Sequence, residues 1–381
     1  MKIRVIGSTC KSKGEAIKFC GRAAGICYMP HSFNEVEHEK ESKTLARARG
    51  TLTSGHHSVY DHAVYNLLFE GIPKILAMFL NNEKMYTTSE KSARYTKMES
   101  GGEDFALYQK WKEKLEETIK AEHSKKFLKF YESEKRVAKV IEKLAMENAR
   151  YMLSVFTPTM MLYTASLRQI NYLIRCMEKF IEERNKTAFE RAIAEAMKDF
   201  LSEVPEEIVI EGLNADSKGK EFSLLVEEDK SEDYFGYVYS MHYKGSLAQI
   251  AQAQRHRTLG YEISELSDFE AYVPPILVRE DVEEWKRDME SVSKLYPQGS
   301  MVSIHEFGSY DKFLLKCYER ICGCAQLEIE MQSRATLERY HEEVPNLVTS
   351  EYLRGARCTF PHFKCSNPCV WGAKGVLNRN I

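Results

Sequence analysis

Two stretches of this chain run through the same order of elements. In the first, residues 63–70 alternate Tyr65, Leu67 and Phe69 against Val64 and Asn66, a strand pattern. Gly71 closes it, a short apolar helix at 72–80 follows, and a loop ends at Glu90-Lys91-Ser92. In the second, an aromatic strand at 234–243 reaches Gly245, then a helix at 246–254 and a loop ending Glu265-Leu266-Ser267. The interval from Gly71 to Ser92 is within one residue of that from Gly245 to Ser267. Ala188-Phe189-Glu190 and Ala325-Gln326-Leu327-Glu328 then sit in matching last helices. A repeat of this kind predicts one small supersecondary unit built twice. We expect an α+β fold of two related halves, 1–204 and 205–381, each a small antiparallel sheet with packed helices, together a pseudo-dimer. The second half is shorter in its middle. Residues 203–232, with Pro205, Gly212, Gly219 and many charges around a strand at 222–226, read as the linker.

The remaining segments fit that plan. Residues 1–7 read as a strand rather than a signal peptide, and helices are expected at 14–30, 35–49, 162–180 and 188–201. Residues 103–148 form charged helices with an apolar face (Val137, Val140, Ile141, Leu144), so their charges need only be a solvated side. Hydrophobic residues make up 43% of the 381 and charged ones 29%, and the net charge is −2. There is no general basic field for nucleic acid, so an anion must be caught by local arginines. The apolar runs are too short to cross a bilayer. Ten cysteines without a secretory signal suggest reduced thiols and a cytoplasmic protein.

Chemistry concentrates at Gln252-Ala253-Gln254-Arg255-His256-Arg257. Gln252 and Arg255 lie three apart and share a face if the helix continues. An amide beside a guanidinium can grip a planar, oxygen-rich ligand, although a solvated helix end would look the same. Ser92-Ala93-Arg94-Tyr95 offers a hydroxyl, amides and an arginine, the parts of a phosphate cradle, but such tetrapeptides are commonly plain chain. Gly55-His56-His57-Ser58-Val59-Tyr60-Asp61-His62 is badly spaced for zinc and suits a polar ligand wall better. Cys317, Cys322, Cys324, Cys358, His362, Cys365 and Cys369 match no standard zinc spacing, so buried free thiols are expected and no metal is assigned.

These residues bring the chain to a resemblance with the flavin-dependent thymidylate synthases. Gln252 to Arg257 matches that family's Gln-x-x-Arg-His-Arg element. Glu90-Lys91-Ser92-Ala93-Arg94-Tyr95 matches its Glu-x-Ser-x-Arg-Tyr loop, and Gly55 to His62 looks like its upstream histidine segment, with Asp61 for Glu. Ala149-Arg150 is similar to a phosphate-binding element. Arg320, with Ala325 to Ile329, is similar to the segment bearing the arginine that polarises uracil. The resemblance implies methylation of dUMP to dTMP with methylenetetrahydrofolate, NADPH and FAD. It implies that Gln252, Arg255, Glu90, Ser92, Ala93, Arg94 and Arg150 bind substrate. It assigns Arg255, His256, Arg257, Ser58, Glu90 and Arg168 to FAD, and Arg320 to catalysis. In the family one subunit gives the Arg-His-Arg element and its neighbour gives the Ser-x-Arg loop. Here the first half has Asn81-Asn82 where the triplet should stand, and the second half has Asp268-Phe269 after Ser267. A fused pair with one composite site is therefore expected, assembling as a dimer of fused chains. The alternatives are a flavoenzyme for another pyrimidine nucleotide and a non-enzymatic or metal-binding descendant.

Overall fold

The protein was analysed as a computed structural model, which describes every residue except 29–31, 93–100, 184–185, 215–220, 228–230 and 373–378. Its elements in chain order are β1 (Lys2–Ser8), α1 (Lys13–Tyr28), α2 (Phe33–Glu37), α3 (Glu41–Thr53), β2 (Val64–Pro73), α4 (Lys74–Asn82) and β3 (Thr87–Glu90). Two long helices, α5 (Glu103–Tyr131) and α6 (Glu134–Ala149), precede β4 (Pro158–Ser166), α7 (Leu167–Glu182) and α8 (Ala188–Ser202). Then come β5 (Val238–Ser246), α9 (Leu247–Ala253), β6 (Gly260–Glu265), α10 (Glu280–Ser291), β7 (Met301–Ser309), α11 (Tyr310–Arg320) and α12 (Leu327–Glu343).

These elements form two compact units, which are not the two sequence halves. One unit comprises residues 1–91 and 158–223, the other 92–157 and 224–381. The helices α5 and α6 lie in the first half but pack in the second unit.

The first unit is built on an antiparallel sheet ordered β1-β2-β4-β3. Side chains of period two alternate across it, so Tyr65, Leu67 and Phe69 of β2 and Met161, Tyr163 and Ala165 of β4 are buried. Phe69 lies 5.4 Å from Phe200 of α8, ring centre to ring centre, joining the sheet to its helical layer. Gly71 has φ +76° and sits at a bulge, between the pairs Glu70–Met160 and Ile72–Thr159. The segment 162–180, expected as one helix, divides at Ser166. The alternation of Met161, Tyr163 and Ala165 puts 158–166 in the sheet, and Ser166 caps α7 by accepting from the Gln169 N–H at 3.0 Å.

The second unit has a three-stranded antiparallel sheet ordered β5-β7-β6. Its inner face carries Tyr239, Tyr261, Ile263 and Ile304, against Phe313 of α11 and Tyr340 of α12. Residues 258–267, expected as a loop, hold β6, because Tyr261 and Ile263 alternate inward from Gly260 and Glu262. The expected strand at 222–226 is reduced to a single bridge, Leu225 to Ile263. In α5, Trp111 meets Trp285 of α10 edge-on at 4.9 Å. Lys110 and Lys114 bind Glu284 at 2.6 Å each, so the same helix pair is also tied at its rim.

The two sheets repeat one another in register. Both run strand, helix, strand, helical segment, strand, helix, helix, with the first strand beside the third. Glu70–Met160 corresponds to Lys244–Ser303, Pro73–Pro158 to Ser246–Met301, and Thr87–Thr164 to Gly260–Phe307. Gly71 is one extra residue in the first copy, so it is not the counterpart of Gly245. A Cβ on Gly245 would stand 2.3 Å from Gln249 Oε1, a close approach rather than a turn. With this register Asn82, Glu83 and Lys84 fall at the positions of Arg255, His256 and Arg257. Glu90 falls at Ile263 and not at Glu265.

Candidate functional site, an arginine cluster in the second unit

The cluster begins at the N-terminus of α9. Ser246 caps the helix, its Oγ accepting from the Gln249 N–H at 3.1 Å. The same Oγ donates to Glu328 Oε2 at 2.6 Å, and the Ser246 N–H donates to Glu328 Oε1 at 2.7 Å. Tyr151 donates its phenol to the same carboxylate at 2.7 Å. Burial pushes the Glu328 carboxyl above its ordinary range, and these donors and Arg150 oppose that shift. One glutamate thus ties α9, α12 and the turn after α6 together.

Beyond α9 the chain tightens into a turn over Gln254–His256, and Arg257 adopts φ +54° to end it, its N–H donating to Gln254 O at 3.0 Å. Gln252 is buried, and its carbonyl accepts from Arg320 Nη2. Its amide oxygen accepts from the Gln326 N–H at 3.4 Å. The side-chain oxygen of Gln326 in turn accepts from Arg150 Nη2. Arg150 and Arg320 are each 7% exposed, so both guanidinium groups are held inside the protein. Gln326 therefore joins Arg150, from the first half of the sequence, to Gln252 and Arg320 from the second.

His256 stands among Arg320, Arg255, Arg357 and Arg257. Burial lowers its pKa first, and these four cations lower it further, to about 4. The imidazole is neutral at pH 7, with one N–H to donate and one nitrogen to accept. The result is a cationic, directional surface suited to an anion with a planar, hydrogen-bonding portion. Arg357, far from the triplet in sequence, escaped sequence reasoning. So did the bridging role of Gln326, for which the only signal was its place in the Ala325-Gln326-Leu327-Glu328 match.

Of the other candidates, Ser58, Glu90 and Arg168 belong to the first unit and Ser92 to the second. Ser58 is exposed on a single turn at His57–Asp61. His57 in that turn is buried and bonds Asn214 Oδ1 at 3.2 Å and Leu52 O at 3.0 Å, so it holds the turn in place. Arg168 pairs with Asp61 at 2.9 Å on the wall of a cavity of about 670 Å³ in the first unit, which Glu83, Tyr86 and Gln169 also line. Glu90 forms an ion pair with Lys74 at 2.5 Å. Ser92 is half-buried, while Ala93 and Arg94 lie outside the described residues.

A family model described as thymidylate synthase complementing protein matches residues 10–209. The chain belongs to that family. The match contains Ser58, Glu90, Ser92, Arg94, Arg150 and Arg168 and ends before Gln252. A flavin-dependent thymidylate synthase of Pyrococcus abyssi (strain GE5 / Orsay) is 26% identical over 153 residues, 37% of this chain and 56% of that protein. The chain thus spans little more than half the length of this relative. Among solved structures, a flavin-dependent thymidylate synthase of Helicobacter pylori complexed with FAD and dUMP is 19% identical, covering 54% of this chain and 95% of that one, with TM-score 0.31. A UMP/dUMP methylase of Streptomyces cacaoi, bound with 5-Br dUMP, is 16% identical over 53% of this chain and 89% of that one, also with TM-score 0.31.

Proposed function

We propose that this protein is a flavin-dependent thymidylate synthase that methylates dUMP to dTMP, using methylenetetrahydrofolate and NADPH. The family supports the reaction class. The observation that carries the assignment to residues is the bridge through Gln326, which brings Arg150 beside Gln252 and Arg320. In this reading the two sequence halves descend from one duplicated unit, and each supplies parts the other has lost. The repeated sheet register supports the duplication. Asn82, Glu83 and Lys84 at the positions of the Arg-His-Arg triplet support the loss in the first copy.

Arg150, with Ser92, Ala93 and Arg94, binds the nucleotide phosphate, and Gln252 and Arg255 hold the base end. Arg320, fixed by the Gln252 carbonyl, stabilises negative charge on the uracil as C5 becomes nucleophilic. Such a preoriented cation is effective because it is already buried and needs no rearrangement. The residues around His256 fit FAD, since Arg255, Arg257 and a neutral imidazole suit a pyrophosphate joined to planar rings. Bound flavin supplies the redox chemistry of methylation. For Ser58, Glu90 and Arg168, in the first unit, support for a cofactor role comes from the resemblance alone. No described helix is long and apolar enough to cross a membrane, and a cytoplasmic dimer of fused chains completes the reading.

The test is to titrate the purified chain with FAD and dUMP and to follow tritium release from C5-labelled dUMP. Flavin absorbance that is perturbed on binding, with tritium released from dUMP in preference to UMP, is the expected result. A chain that binds no flavin overturns the proposal, and release from UMP alone overturns the substrate. Arg320→Lys should lower kcat by roughly 10²-fold, the scale of losing one preorganised electrostatic contact, while leaving flavin binding in place.

A further inference from the structure

Four of the ten cysteines behave as small core side chains: Cys10, Cys20, Cys176 and Cys317 are buried. Five others do something different. Cys322 and Cys324, in the loop between α11 and α12, and Cys358, Cys365 and Cys369, in the C-terminal segment, line one cavity of about 620 Å³. They were expected to be buried free thiols, yet Cys324 is exposed and the other four are half-buried. Packing does not explain five thiols facing one open space.

The backbone is shaped around these sulfurs. The Cys324 N–H donates to Cys322 Sγ at 3.5 Å, and the Cys358 thiol donates to Gly372 O at 2.8 Å. A Cβ on Gly323 would stand 2.8 Å from Cys369 Sγ, and one on Gly372 would stand 3.1 Å from Cys358 Sγ. Glycine at both positions lets the main chain approach the sulfurs from two sides. Arg357 lines the same cavity. Arg379 donates to Gly323 O and Ala325 O at 2.8 Å each, so a second cation holds the cysteine loop. The one arginine on the cavity wall, Arg357, suits a centre that carries net negative charge.

The spacing distinguishes the kind of centre. A single tetrahedral ion takes at most four sulfurs about 2.3 Å from one point, whereas five thiols here line one open volume of about 620 Å³. In a cubane each thiolate binds a different iron, so the ligands ring a volume. We propose that this cavity holds a [4Fe–4S] cluster on four of the five thiolates Cys322, Cys324, Cys358, Cys365 and Cys369. Each ligating thiol releases its proton to solvent as it binds iron. The cluster clamps the C-terminal segment to the loop that follows Arg320, with no electron transfer assigned to it.

The test uses the full chain, prepared anaerobically and reconstituted with ferric iron, dithiothreitol and sulfide. About four irons and four acid-labile sulfides per chain are expected. Sulfide is the deciding measurement, because flavin absorbs in the same region as the cluster. Cys358→Ser with Cys369→Ser should lower bound iron and sulfide at least about tenfold, while Cys176→Ser, buried in the first unit, should retain both. Circular dichroism of the double variant separates ligand loss from unfolding, and Cys322→Ser with Cys365→Ser gives a second pair if the first does not fold. A colourless protein without sulfide overturns the proposal. So does stoichiometric zinc, or full iron and sulfide in both folded double variants. None of these readings depends on dUMP, folate or flavin.

Discussion

His256 shows how a single residue acquires its character from its neighbours. Burial and four arginines drive its pKa from the ordinary 6.5 to about 4. Between those values the unfolded chain binds a proton that the folded chain refuses. This contribution to stability is therefore complete above about pH 6.5 and is lost as pH falls toward 4. The magnitude is about 1–2 kcal/mol once partial exposure to solvent is allowed for. His256→Gln, neutral at every pH, should lose less stability than the parent over that window, read from urea unfolding at pH 7 and pH 4.5. Equal losses would mean that folding does not depress the pKa of the imidazole. Arg357→Gln should raise the His256 pKa, which an NMR titration of its ring protons can follow. The triplet itself was legible because Arg-His-Arg after a Gln-rich helix is an unusual local pattern. Arg357 was not, since a contact between residues so distant in the chain leaves no periodicity and no spacing to read.

Among the elements, β7 and α11 depend on a pair the sequence did not announce. Lys316 binds Glu306 at 2.7 and 2.5 Å, and both side chains are almost fully excluded from water. Tyr243 donates to Glu306 at 3.1 Å, Tyr239 donates to it as well, and Lys316 reaches Gln332 at 2.9 Å. The charges are tolerated because each is compensated and hydrogen-bonded. Lys316→Met would leave a buried carboxylate without its cation and should cost about 3–5 kcal/mol. Adding Glu306→Gln should recover part of that loss, because a neutral amide can still accept from a tyrosine. Denaturant midpoints of the two variants provide the comparison, and a double variant no more stable than the single one would argue against the pair. Strands of clear alternation such as β2 could be read from sequence, and so could the charged helices α5 and α6. At β4 a continuous apolar run, Met160 to Tyr163, merges with the α7 pattern, and period two cannot be told from 3.6 without the sheet. At β6, Thr258 and Gly260 gave loop signals although Tyr261 and Ile263 face the core.

At the scale of the whole molecule the repeated order of elements was legible while the packing units were not. A repeated order along the sequence need not be two bodies in space. The helices α5 and α6 occupy, in the first copy, the place that α10 takes in the second, and all three pack in one unit. Trp111 against Trp285 is one side of that packing. On another side Trp371 lies edge-on to His123 at 5.3 Å and to Phe127 at 5.5 Å. Arg150 reaching Gln326, and Tyr151 reaching Glu328, put the cluster on the same seam. A polypeptide of residues 205–381 would expose Trp285 and Trp371, leave Glu328 and Gln326 without these donors, and give up the apolar face that α5 and α6 cover. Fully burying one such aromatic side chain contributes roughly 1.5–3 kcal/mol, and a domain as a whole holds only about 5–15 kcal/mol. The 205–381 polypeptide should therefore lack the near-ultraviolet tryptophan signal of a packed protein. Residues 92–157 joined to 224–381 should restore that signal and the low His256 pKa together. If 205–381 folds by itself with both features intact, the sequence halves, and not the compact units, are the cooperative bodies. The Gln326 bridge would then be a contact made after folding rather than one that folding requires.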